Sequence, residues 1–277
     1  MTWLATLVPS IFVVIALTLV EIRAGKDGGD WKINLQNWAI NLAAGVTVYR
    51  LFPVWNGPSL IDGSALPIWL AVPIYIVAQD LGEYLFHRAQ HAVPFLWAMH
   101  SLHHSDPNMS ALTSTRHFWG DRLIKSFTVW PLAYLVISPT TAALATYFGL
   151  SLWHFLVHSN LKLDFGRWTW LLNGPAYHRI HHSRLPEHFN CNFASLLPIF
   201  DVLAGSYRNP DCTPVTGLQQ QPKNALQLLA WPLVSWRFER GAMEACATLA
   251  QERDCNTAND PAPFELDTHR RLQADPR

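Results

Sequence analysis

The run Ser126–Val157, SFTVWPLAYLVISPTTAALATYFGLSLWHFLV, holds 32 residues and no Asp, Glu, Lys or Arg. It is broken once, at Ser138-Pro139-Thr140-Thr141, where proline removes a backbone donor and disfavours an unbroken helix. Each arm is then about sixteen residues, whereas a full crossing of a hydrocarbon core takes about 20. The stretch reads as a tight helical hairpin that stops short of the far membrane surface, because backbone in lipid must satisfy its own hydrogen bonds.

Three further apolar runs precede it. Trp3–Val20 is eighteen residues without a charge. No Lys or Arg stands before it and Glu21-Ile22-Arg23 follows directly, so it reads as a retained span rather than a secretory leader. Asn37–Trp55 is apolar but for Arg50, which can snorkel to an interface. Leu66–Phe86 is apolar as far as Asp80. The expected spans are therefore 3–20, 37–55 and 66–86, with the hairpin over 126–157.

Composition agrees with this reading. Of 277 residues 50% are hydrophobic and only 14% charged, against about 25% in an average soluble domain. That excludes a disordered chain. Twenty basic residues balance twenty acidic ones with no basic cluster, which argues against a nucleic-acid partner. Four widely spaced cysteines without a CxxC pair read as reduced thiols in a reducing compartment.

Basic residues also set an orientation. If Trp3 starts outside and the runs alternate, the inside segments 21–36, 87–125 and 158–277 hold 3, 4 and 12 Lys/Arg. The outside segments hold none, and the two short inside segments decide the matter. Residues 225–237 are too short and Pro-broken to span. They read either as an interfacial helix with Trp231 and Trp236 at headgroup level or as an ordinary packed amphipathic helix. The expected architecture is all-α: a multi-span transmembrane helical bundle with a cytosolic histidine-rich helical cap over 1–240, then a polar cytosolic tail over 241–277.

Eleven of the thirteen histidines fall in residues 87–182. His87 and His91 form one H-x3-H pair, and His154 and His158 a second. His100, His103 and His104 form an H-x2-H-H triplet, repeated by His178, His181 and His182. On a helix such spacings turn two or three imidazoles in one direction. Neutral imidazole is a good ligand for iron, zinc and copper. Ten imidazoles exceed what one ion holds, and divided between two they leave room for an exogenous ligand. Buried imidazoles without a partner would carry a desolvation cost that packing does not repay.

The chain resembles the fatty acid hydroxylase/sterol desaturase superfamily of integral-membrane histidine-rich di-iron oxygenases over roughly 79–207. The resemblance rests on Asp80-Leu-Gly-Glu-Tyr-Leu-Phe-His-Arg-Ala-Gln-His91, His100-Ser-Leu-His-His-Ser105 and Ser114-Thr-Arg-His117. It continues through His178-Arg-Ile-His-His-Ser183 and Asn192-Phe-Ala-Ser-Leu-Leu-Pro-Ile-Phe-Asp201 to Gly205-Ser-Tyr207. Asn192-Phe193-Ala194 stands where the family more often shows Asn-Tyr-Gly. The resemblance implies a transmembrane stem under a cytosolic cap holding two iron ions, which zinc can replace in purified protein. It also implies an O2-dependent hydroxylation or desaturation of a membrane lipid (a sterol, fatty acyl chain, sphingoid base or aminolipid). A separate donor such as a ferredoxin, a b-type cytochrome or a reductase would supply electrons. The expected location is a bacterial inner membrane, with the site on the cytosolic side.

The residues bear on the alternatives. No Glu-x-x-His occurs, which excludes a ferritin-like carboxylate centre. A membrane metal transporter would place its ligands near the bilayer midplane, and a membrane zinc hydrolase would show His-Glu-x-x-His. Asp80, Glu83 and Asp201 are candidates to accept the free N–H of ligand imidazoles, and His117 is a candidate neighbour of the centre.

Overall fold

The computed structural model describes residues 3–25, 30–51 and 57–236, without the side chains of 3–10 and 49. The tail expected from 241, with His269, lies outside the described residues. Ten α-helices and three short 3-10 turns make up the described chain. No strand occurs among the described residues, only isolated bridges between Ile61 and Ile137 and between Ser183 and Thr216. The all-α expectation holds.

Helices α1 (Trp3–Arg23) and α2 (Trp31–Leu51) lead into α3 (Ile68–Ala92), the longest at 25 residues. Val93 ends α3 and begins α4 (Pro94–His104), whose first position is the proline that tolerates a missing donor there. The uncharged run begins at the end of α5 (Gly120–Phe127) and becomes α6 (Val129–Val136) and α7 (Thr141–His158). The expected break is present. Thr140 caps α7 by accepting from the Ala143 amide, and Ile61 pairs with the turn through Ser138. The first arm is itself divided at Thr128, whose φ and ψ of −122° and −74° leave the helical region.

None of the described helices is long and apolar enough to cross a membrane by itself. The sequence shows why for α2 and α3. α2 carries Lys32 and Arg50 and a stripe of Asn34, Asn37 and Asn41, all three buried. Asn37 and Asn41 donate to the carbonyls of Thr115 and His117, so this face is spent on protein contacts. α3 is apolar only to Asp80, after which Glu83, His87, Arg88 and His91 follow.

Two apolar clusters flank the histidines. Ala71, Tyr75 and Ala78 of α3 meet Ala133, Ile137 and Ala143 of the hairpin. At the other end Met99 and Leu102 of α4 pack with Ile33, Phe118, Leu228 and Trp231. One face of α10 (Ala225–Leu229) and of the helical residues 231–236 therefore joins the core, while Leu226, Leu229, Leu233 and Trp236 stay exposed. Trp231 is fully buried and donates to Ser101 Oγ at 2.9 Å, so it is not at headgroup level as the interfacial reading had it. Glu21 ties the end of α1 to the cap, since one carboxylate oxygen accepts the amides of Ala111 and Asn160.

Candidate metal centre

The cap brings the histidine motifs together on α3, α4, α7 and α8 (Pro175–His181). Nitrogen atoms of His87, His91, His100, His104 and His181 lie within 4.8 Å of one another. Those of His103, His158, His178 and His182 form a second group within the same limit. The triplets are shared between the groups. In each, the i and i+4 rings go one way (His100 with His104, His178 with His182) and the middle ring goes the other. At about 100° per residue, i and i+4 are about 40° apart on the helix, while i+3 lies about 60° to the opposite side of i. An H-x2-H-H triplet is thus the spacing that lets one helix serve two adjacent centres.

Backbone carbonyls fix three tautomers. The Nδ1 of His87 donates to Phe193 O, that of His181 to Cys191 O and that of His158 to His154 O, each at 2.7 Å. In a neutral ring the Nε2 is then a bare lone pair. In the first group His87 Nε2 faces His100 Nε2 at 3.0 Å, His100 faces His104 at 3.2 Å and His104 faces His181 at 3.1 Å. If His100 and His104 each donate to the rings fixed as acceptors, their own N–H groups collide. A cation among the nitrogens removes the conflict. The second group repeats the pattern, with His158 Nε2 at 3.0 Å from both His103 and His178, and His178 at 3.1 Å from His182. Nine neutral imidazoles in two converging sets fit two first-row ions.

Burial keeps these rings neutral. Desolvation is the largest cause at every one, and His87, His100, His103, His104, His158, His178 and His182 are held well below the ordinary imidazole range. Burial brings His91 down to about 2 and His181 to about 4, with the neighbouring His181 adding to the effect at His91.

The tenth expected ligand departs from the pattern. His154 belongs to neither group, and its Nε2 instead pairs with Ser195 Oγ. The three carboxylates also have other partners than imidazoles. Asp80 accepts the amides of Leu196 and Leu197, both at 2.8 Å. Asp201, on α9 (Ile199–Ala204), accepts the amides of Phe193 and Ala194 and the hydroxyls of Tyr177 and Ser206. Glu83 pairs with Lys125 at 2.6 Å. Asp80 and Asp201 thus brace residues 193–197, and that segment presents the Phe193 carbonyl to His87. Asn192 sets the local bend with φ of 57°, a left-handed conformation that asparagine tolerates better than most residues. His117 stacks on His103 with ring centres 4.2 Å apart, and His188 packs on Ser183 outside both groups.

A cavity of about 320 Å³ adjoins the histidines. Trp38, Leu42, Trp130, Tyr147, Phe148 and Phe155 supply apolar wall, and Asn41, Glu83, His117, Asp121, Arg122 and Lys125 polar wall. A smaller hollow of about 50 Å³ touches His87, His100, His103, His158 and His178 and shares Glu83, His117, Lys125, His154 and Ser195 with the larger one. Asp121, Lys125 and the carbonyls of Cys191 and Phe193 were not singled out from the sequence. Carbonyls carry no side-chain signal, but Asp121 stands four residues after His117, a spacing that was there to be read.

Residues 72–206 match the family model described as fatty acid hydroxylase. The chain is 33% identical over 166 residues to alkylglycerol monooxygenase of Xenopus tropicalis, covering 59% of this chain and 36% of that one. To the enzyme of the same name from Danio rerio it is 32% identical over 215 residues, 70% of this chain and 46% of that one. To ornithine lipid hydroxylase OlsE of Rhizobium tropici it is 30% identical over 149 residues, 52% and 44% of the two chains. The chain spans less than half the length of these relatives. No solved structure matches it.

Proposed function

Residues 72–206 belong to the fatty acid hydroxylase family, and from that premise we propose that the protein is an O2-dependent di-iron oxidoreductase that hydroxylates or desaturates a membrane lipid. The observation that carries the reading is the pair of converging imidazole groups beside a cavity with an apolar wall. Iron ions held there would supply the reductive activation of O2 that breaking an unactivated C–H bond requires. His87, His91, His100, His104 and His181 hold one ion, and His103, His158, His178 and His182 the other. The chain's own part is orientation: the carbonyls of Cys191, Phe193 and His154 fix which nitrogen of three rings is free, and Asp80 and Asp201 fix the segment bearing the Phe193 carbonyl. The apolar wall excludes water and holds the lipid chain. A separate protein donor supplies the electrons.

The protein works as an integral-membrane enzyme with its histidines on the cytosolic side. The distribution of Lys and Arg supports this orientation, and large exposed apolar side chains on the helices, among them Phe12, Ile15 and Leu19 of α1 and Ile68, Trp69 and Leu85 of α3, support membrane contact. The names of the relatives support a lipid substrate. Metal analysis of the purified protein should return two ions per chain, and His104→Ala should lose at least one. Lipid mass spectrometry of cells with and without the protein should show a species gaining one oxygen or losing two hydrogens. A single ion per chain would overturn the dinuclear reading, and an unchanged lipidome with oxygen and donor present would overturn the enzymatic one.

A further inference from the structure

We propose that residues 225–236 lie flat on the cytosolic membrane surface and press an apolar stripe into its phospholipids, a contact with the bilayer separate from the spans. The inference rests on the membrane reading above and adds a surface to it. α10 and the helical residues 231–236 carry only two polar side chains, Gln227 and Ser235, in the twelve residues 225–236. Leu228, Trp231 and Ser235 are buried at helical spacing, and Leu226, Leu229, Leu233 and Trp236 are exposed on the other side. Leu226 is 73% exposed and Leu233 72%. A helix that turns one side to water ordinarily carries polar residues there. This one carries three leucines and a tryptophan, which suits an apolar medium and not water.

The neighbouring elements say which medium. The packed side of 225–236 rests on the first turn of α2, where Leu228 and Trp231 meet Ile33. α2 enters its expected span at residue 37, immediately beyond the basic inside segment 21–36. Residues 225–236 are therefore at the level where α2 passes from cytosol into lipid. Trp31 and Leu35, at that same end of α2, are exposed. Trp119, also exposed, donates from Nε1 to the Leu229 carbonyl at 3.1 Å. Tryptophan is enriched at this depth because its ring is apolar and its N–H polar. Lys32 and Lys223, both exposed, can reach lipid phosphates while their stems stay in the apolar layer. Asp30 stands beside Lys32 and leaves little net charge, so burial of the leucines drives the contact. The contact also reaches the histidine-bearing helix. Trp231 Nε1 donates to Ser101 Oγ at 2.9 Å and Ser235 Oγ to the Ala98 carbonyl at 3.0 Å, both on α4. Seating 225–236 on the lipid thus fixes the height of His100, His103 and His104 over the bilayer.

The test is photolabelling of the unaltered full chain in nanodiscs, read by peptide mass spectrometry. The probe is a phosphatidylcholine with a diazirine in its acyl chain close to the glycerol. Label should appear on Leu226, Leu229 and Leu233 and be roughly tenfold weaker on Leu228, Trp231 and Ser235, which face the protein. Phe12 and Ile15 of α1, exposed as well, report the membrane reading in the same sample. Label on α1 without label on 225–236 would mean that the tail or a second copy covers the stripe. That result would overturn the proposal and leave the membrane reading intact. Absence of label from both would remove both readings. In the double variant Leu229→Gln, Leu233→Gln, label on the rest of 225–236 should fall about fivefold while α1 keeps its own. Unchanged label there would show that the leucines do not hold the segment in lipid, and would overturn the proposal too.

Discussion

His158 and His154 differ by one helical turn, and that turn decides what each ring can do. The Nδ1 of His158 donates to the carbonyl of His154 and frees its Nε2 for the second imidazole group, while the His154 ring turns to Ser195. Replacing His158 with Ala should therefore cost an ion, whereas His154→Ala should retain two ions per chain by metal analysis. Equal loss in both variants would place His154 among the ligands. The protonation of single rings also predicts an acid-sensitive metal-free protein. His181 is held at about 4 by burial, against an ordinary value of 6.5. Above pH 6.5 folded and unfolded chains both hold this ring neutral. As pH falls below 6.5 the unfolded chain takes up a proton that the folded chain refuses, so stability declines across the window from 6.5 to about 4. At about 1.4 kcal/mol for each pH unit, this ring alone costs about 3 kcal/mol by the lower end. Urea midpoints of the metal-free protein should fall steadily as pH drops from 6.5 to 5, and a flat profile there would contradict neutral buried rings.

At the scale of elements, the break in the uncharged run and the histidine helices were legible in the sequence for different reasons. The break at 138–141 follows from proline and threonine chemistry, and α7 begins where Thr140 can cap it. Periodicity predicts that all three imidazoles of a triplet turn in one direction. That holds for His100 and His104 but not for His103, which joins rings from α7 and α8 in the other group, a pairing made by tertiary packing. Asp80 and Asp201 illustrate the same limit, since a carboxylate accepts from an amide or from an imidazole with equal ease. Their actual partners lie over a hundred residues away for Asp80, and for Asp201 they include Tyr177, 24 residues back, beside near neighbours. The approach of α3 to α6 depends on Gly82, where an added Cβ would stand 3.2 Å from Val129 Cγ1. Gly82→Leu should push the helices apart and cost about 1–3 kcal/mol by overpacking. Because Glu83 is the next residue, the variant should also disturb the Glu83–Lys125 pair in the cavity wall. A Gly82→Leu protein with unchanged stability would show that the contact yields without moving the helices.

The whole molecule depends on how the two imidazole groups share their supports. α4 contributes His100 and His104 to one and His103 to the other, and α8 with its capping residue His182 contributes His181 to one and His178 and His182 to the other. No helix of this pair can move without disturbing both groups, so the two ions should be linked thermodynamically. Each group also gathers rings from separate parts of the chain, between His87 and His182, and an ion bound only by the folded arrangement stabilises it by mass action. At a free ion concentration a thousandfold above the dissociation constant, one ion contributes about 4 kcal/mol. Stripping it should lower the melting temperature by roughly 10 °C for a chain of this length. Linkage makes a sharper forecast than the shift alone. If the groups were independent, His103→Ala would cost one ion and leave the other at full affinity. With α4 and α8 shared, His103→Ala should also weaken the ion held by His87, His91, His100, His104 and His181. Chelator titrations of this variant, followed by metal analysis, should release that remaining ion at lower chelator concentration than the intact protein releases its first. Release at the same concentration would mean that the helices are held rigidly by the apolar clusters on either side, and that each group stands alone.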